Sequence, residues 1–114
     1  MVLYSCGAYG YAIPKGSVFN TAVAADSDIF SSDLEPTYTP CIFRIYVCFD
    51  AGGVLTVRRT KNGATVSENL NGGAALTANA AYIFDIVVEE GETINLRYSV
   101  DATILSLKVV EVNV

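Results

Sequence analysis

The chain has no histidine and no tryptophan, and only three cysteines, three prolines and one methionine in 114 residues. Without histidine, Ser-His-Asp and Cys-His catalysis lose their general base, and each cysteine lacks its usual activating partner. Cys6, Cys41 and Cys48 form no Cys-x-x-Cys pair, so a zinc site would have to combine three thiolates with a carboxylate. They read instead as small apolar residues of a core. A chain this long hides about two-thirds of the surface its unfolded form exposes, so neither a metal, a cofactor nor a disulfide is expected to be needed for folding. The reading is of a protein that is not an enzyme.

Positive charge is scarce as well: seven bases stand against twelve acids, for a net charge of −5. With an isoelectric point near 4.4, the surface field has the wrong sign for a protein that displaces counterions from a nucleic-acid backbone. Long apolar runs are also missing. Mean hydropathy is +0.40, yet no stretch approaches the ~20 consecutive apolar residues of a membrane helix. The opening MVLYSCGAYGYAIPKG has no basic segment followed by a continuous apolar one, so it does not read as a secretory signal, and synthesis in a cytoplasm is expected.

What the chain does have is apolar content, 52% of its residues, which points to a single domain over residues 1–114. The apolar surplus implies association with protein partners, because large exposed apolar patches on soluble domains usually mark interaction surfaces. Residues 1–40 hold all three prolines, with four acids against one base and no sustained period. They read as an N-terminal arm with irregular strands, in which only SVFNTAVAA and DIF look extended.

From residue 41 to the end, apolar residues recur at every second position, which is the period of a half-buried strand. In CIFRIYVCFD, Phe43, Ile45, Val47 and Phe49 share one face. Asn62-Gly63 marks a type I′ hairpin turn, pairing residues 54–60 with 64–70. Asn71-Gly72-Gly73 opens a loop, and ALTANA reads as a loop or a brief helical turn. AYIFDIVVEE and ETINLRYSV both alternate, and the Glu90-Gly91 turn between them predicts a second hairpin. The last segment, TILSLKVVEVNV, sets Leu105, Leu107 and Val109 against Ile104, Val110 and Val112. Either a bulge near Lys108 switches its buried face or both faces are covered.

Seven or eight strands joined by hairpins, with no helix between them, predict an all-β fold, an antiparallel β-sandwich or a jelly-roll-like barrel. Its core is expected to comprise Phe43, Ile45, Val47, Phe49, Leu55, Val57, Tyr82, Phe84, Ile86, Leu96 and Leu107. Only one face of the final strand can fill that core. Ile104, Val110 and Val112 are therefore interface candidates, together with an aromatic arm carrying Tyr4, Tyr9 and Tyr11.

Other clusters have simpler readings. Asp26, Asp28 and Asp33, with Glu35, gather carboxylates in a loop where a hard cation such as calcium would find oxygen ligands. The spacing matches no EF-hand, and a solvated acidic loop accounts for it. Glu89, Glu90 and Glu92 flank Gly91, where acids are ordinary in turns. Arg58, Arg59 and Lys61 end a strand beside the Asn62-Gly63 turn, with at least two of them pointing to solvent, where they could meet a phosphate or another subunit's carboxylates or simply solubilise the strand end.

The segments FRIYVCFDAGGVLTVRRTKNG and LNGGAALTANAAYIFDIVVEEGETINLRYSVDATILSLKVVEV resemble a pattern in small β-rich virion proteins of tailed bacteriophages and related viruses. The pattern consists of a strand ending in Phe-Asp, a Gly-Val-Leu-Thr-Val strand, a Leu-Asn-Gly-Gly linker, a Tyr-x-Phe strand and Ile-Asn-x-Arg-Tyr-Ser, over residues 42–112. The resemblance implies a capsid decoration (cementing) or accessory virion protein, commonly trimeric, with arms that reach neighbouring subunits. Its partners would be copies of itself and a major capsid or other virion protein, and it would reside in the virion. Two other classes compete: a monomeric carbohydrate-binding or adhesion module with an exposed aromatic strip, and a pilus-like filament subunit that donates its arm as a strand.

Overall fold

Every second side chain from Cys41 to Phe49 is buried, and the same alternation organises most of the chain into strands. The computed structural model describes residues 11–114. Among them are seven strands: β1 (Ala12–Val23), β2 (Cys41–Phe49), β3 (Leu55–Lys61), β4 (Ala64–Asn69), β5 (Tyr82–Val88), β6 (Thr93–Tyr98) and β7 (Ala102–Asn113). They form two antiparallel sheets, β1-β7-β2-β5 and β4-β3-β6. The chain is an all-β sandwich, as the period-two pattern predicts.

Residues 26–34 run antiparallel to β6 as an irregular ribbon. Asp26 and Ile29 donate backbone N–H bonds to Tyr98 and Leu96 at 2.7 and 2.9 Å, and Leu34 and Ile94 exchange bonds at 2.7 and 2.9 Å. DIF therefore lies in this ribbon and is not a strand of its own. The ribbon makes the second sheet four-membered, and successive segments then cross between the sheets everywhere except at the β3–β4 hairpin. That winding is a jelly roll.

The β3–β4 turn is the one the sequence calls for, with Asn62 at φ 54° and Gly63 at φ 80°. The expected hairpin at Glu90-Gly91 is corrected. β5 pairs with β2 in one sheet and β6 with β3 in the other, so this turn is an arch between sheets. Arg59 clamps it: Nη1 donates to the Val87 carbonyl at 2.6 Å and to Glu92 at 3.2 Å, while Nε donates to Glu68 at 2.8 Å. A strand begins earlier than SVFNTAVAA suggests, since β1 pairs with β7 from Ala12 onward and Lys15 is bulged between Pro14 and Gly16.

The core lies between the sheets and contains nine of the eleven expected residues, Tyr82 and Phe84 excepted. Those two stack on each other at 5.9 Å on the inner side of edge strand β5 and are only partly buried. Inner-face residues that the expectation omitted, among them Ile94, Tyr98, Ile104 and Val109, complete it.

Candidate functional site

The acidic loop does not converge on a cation. Asp28 binds two guanidiniums, accepting from Arg58 Nη1 at 2.7 Å and from Arg97 Nε at 2.8 Å. Partial burial pushes the Asp28 carboxyl up, and the Arg97 and Arg58 bonds outweigh it, leaving the group below the ordinary carboxylate value. Asp33 accepts from Asn95 Nδ2 at 2.9 Å, and Asp26 is a turn residue at φ 56°. No group of three metal-ligating side chains occurs among the described residues. The calcium candidates Asp26, Asp28 and Asp33 are thus replaced by a structural account, in which Asp28 ties the ribbon to β3 and β6. Arg58 and Arg59 likewise pair with carboxylates of the chain itself, Asp28 and Glu68.

One carboxylate is fully buried. Glu111 of β7 accepts backbone N–H bonds from Thr37 and Tyr38 at 2.6 and 3.0 Å and pairs with Lys15 at 3.1 Å. Burial raises its pKa, but the two amides and the Lys15 ammonium lower it further, so the net shift is downward. Beside it, burial and the Glu111 charge push the Cys41 thiol up to about 11. Cys41 is a buried, protonated core thiol, as read from the sequence. Cys48 is half-buried, and Cys6 lies outside the described residues.

Lys15 also lines an open cleft of about 520 Å³ with Phe30, Asp33 and Glu35. Its ammonium is turned toward Glu111 and the Thr37 hydroxyl, 2.7 Å away.

Exposed apolar side chains gather on the outer face of the β1-β7-β2-β5 sheet. Register aligns its side chains in rows across the strands: Val87, Ile42, Val112 and Ala12; then Asp85, Arg44, Val110 and Pro14; then Ile83, Tyr46, Lys108 and Ser17. Ile83 is 62% exposed, Val87 50% and Tyr46 38%. The outer face of the other sheet is different in kind, carrying Thr56, Arg58, Thr60, Thr93, Asn95 and Arg97. An apolar face on one sheet and a polar one on the other single out the first for association.

Of the interface candidates, Val110 and Val112 lie on this face, half-buried by their neighbours. Ile104 does not: it is 1% exposed and belongs to the core. The cause is a bulge placed differently from the expected one near Lys108. The β2–β7 register slips after Cys48, which faces Ser106, while Phe49 faces Ile104, so Leu105 is the extra residue. Inward side chains on either side of it, Ile104 and Leu107, are therefore three residues apart. Tyr11 meets Tyr38 edge-on at 5.3 Å, with Tyr38 60% exposed. Tyr4 and Tyr9 lie outside the described residues. The signal that would have found Ile42, Tyr46, Ile83 and Val87 was present in the sequence, as apolar residues on the nominally polar faces of two strongly alternating strands.

No helix among the described residues is long and apolar enough to cross a membrane. No family model matches the chain, and no curated protein matches it.

Proposed function

We propose that the chain is a non-enzymatic structural protein of a virion, a capsid decoration (cementing) or accessory protein that acts as a symmetric homo-oligomer. The observation that carries the reading is the apolar outer face of the β1-β7-β2-β5 sheet, on which Ile42, Tyr46, Ile83, Val87, Val110 and Val112 lie together. Jelly rolls are a recurrent architecture of capsid proteins, and the strand and turn pattern of residues 42–112 points the same way. On this reading the protein is made in the host cytoplasm and carried on the particle, through contacts between its own copies and with a capsid protein.

Particles purified on a density gradient from a culture that makes the protein provide the test. Peptides of the chain in the particle band, in a fixed ratio to the major capsid protein, support the proposal. Peptides confined to the soluble fraction contradict it. Lectins share the jelly roll, and the exposed Tyr38 ring beside Tyr11 favours a carbohydrate-binding module as the second reading. Specific retention on a glycan array by a monomeric protein, lost in Tyr38→Ala, would establish that reading in place of the first.

A further inference from the structure

Strands β2 and β5 place six outward residues in three register pairs: Ile42 with Val87, Arg44 with Asp85, and Tyr46 with Ile83. The middle pair is an ion pair. Arg44 Nε and Nη2 donate to the two Asp85 carboxylate oxygens at 2.8 and 2.9 Å, with both side chains about two-fifths exposed, 40% and 43%. Apolar rows lie on both sides of it. A purely apolar partner over this patch would bury two charges with nothing to meet them, which is costly unless further hydrogen bonds form. The guanidinium has five N–H donors, of which this pair engages two, so a second carboxylate can still be served. The patch thus calls for a partner that presents an acid and a base between apolar side chains.

A second copy presents that surface. We propose that the β2–β5 outer face is a two-fold interface between two copies of this chain, with the axis along the strands and midway between β2 and β5. Each row then meets itself reversed: Ile42 lies on the partner's Val87, Arg44 on the partner's Asp85 and Tyr46 on the partner's Ile83. Two arginines and two aspartates close into a ring of alternating charge between apolar layers. The facing strands align, as stacked sheets do to within about 30°. An axis placed over β2 instead would set Arg44 against Arg44 of the partner subunit. Self-complementarity of this kind is what a two-fold interface requires. The inference rests on the self-association part of the proposed function and names its contact.

Charge reversal tests both the face and its register. Arg44→Asp and Asp85→Arg each place like charges opposite one another. Each is expected to sediment as a monomer where the wild type is a dimer, with a dissociation constant raised about 100-fold or more. The double variant Arg44→Asp with Asp85→Arg restores the ring and is expected to dimerise with itself while refusing subunit exchange with fluorescently labelled wild type. Thermal melts verify that the single variants fold, and the self-assembly and exchange of the double variant decide the matter if either does not. A single variant that keeps the wild-type mass, or free exchange between double variant and wild type, overturns the proposed contact but leaves self-association standing through another surface. A wild type that is monomeric at micromolar concentration overturns both.

Discussion

Phe49 of β2 and Tyr98 of β6 stack face to face with ring centroids 3.6 Å apart and planes 7° from parallel, joining the two sheets where both strands end. The Tyr98 hydroxyl donates to the Ala51 carbonyl at 2.7 Å, so the same ring also holds the chain that leaves β2. Both rings are essentially inaccessible. Tyr98→Ala should cost about 3–5 kcal/mol, as large buried aromatics do, whereas Tyr98→Phe removes one hydrogen bond and should cost about 1 kcal/mol. Urea unfolding of the pair measures the difference, and equal losses would contradict this account of the ring.

Gly53 packs under the same ring. A Cβ there would stand 2.9 Å from Tyr98 Cε2 and 2.9 Å from Val100 Cγ2. Because Tyr98 is locked by its stack and its hydroxyl, it has nowhere to shift. Gly53→Ala is expected to lose about 1–3 kcal/mol by overpacking. Gly63→Ala meets no atom within 4 Å but sits at φ 80°, so its loss, of about 1 kcal/mol, comes from backbone strain in the turn. Combining Gly53→Ala with Val100→Ala should recover part of the first loss and none of the second.

Glu111 predicts a specific acid sensitivity. Its folded pKa lies below its ordinary value, so its contribution to stability is fully present above the unfolded pKa of about 4.3 and is lost as pH falls through the folded one. Lys15, Tyr11 and Cys41 surround it, and of these only Lys15 carries a charge in that range. Glu111→Gln should cost about 1–3 kcal/mol at neutral pH, by weakening the bonds to Thr37, Tyr38 and Lys15. The gap in melting temperature between wild type and variant should then narrow below about pH 4.3. A gap independent of pH would show that the carboxylate charge is not what holds the loop.

Asp28 gives the opposite expectation to a calcium site. With Arg58 and Arg97 on its oxygens, EDTA and millimolar calcium should both leave the melting temperature unchanged, and Asp28→Asn should lower stability equally with and without calcium. A calcium-dependent rise in melting temperature that disappears in Asp28→Asn would contradict the arginine clamp.

Much of this architecture is legible where one face of a strand is buried and a turn has special chemistry. β2, β6 and the Asn62-Gly63 hairpin are of this kind. The Glu90-Gly91 arch is not, because alternation on both sides of a glycine turn looks the same whether the chain folds back in one sheet or crosses to the other. What separates the two cases is Arg59 reaching Val87 and Glu92 across the sandwich, a contact between distant positions. Tyr82 and Phe84 alternate as strongly as Phe43 and Ile45, yet they sit on an edge strand that the opposite sheet covers incompletely. Ile104 faces the core against the plain alternation of its strand, because one extra residue inverts every side chain beyond it. Glu111 reads as a polar interruption in an apolar strand; only the fold brings Thr37, Tyr38 and Lys15 to it.

On the proposed function, copies of the chain meet on the outer face of the β1-β7-β2-β5 sheet. Ile42 of β2 and Val87 of β5 sit side by side on that face. Burying residues of this size stabilises by roughly 1.5–3 kcal/mol each, so replacing both with aspartate removes that gain and adds charge to the contact. The decisive measurement is sedimentation velocity on the wild type and on Ile42→Asp combined with Val87→Asp. The account predicts an associated wild type and a variant that is folded, cooperative in its melt and monomeric, whereas an unchanged oligomer mass in the variant, or a monomeric wild type at micromolar concentration, would contradict it.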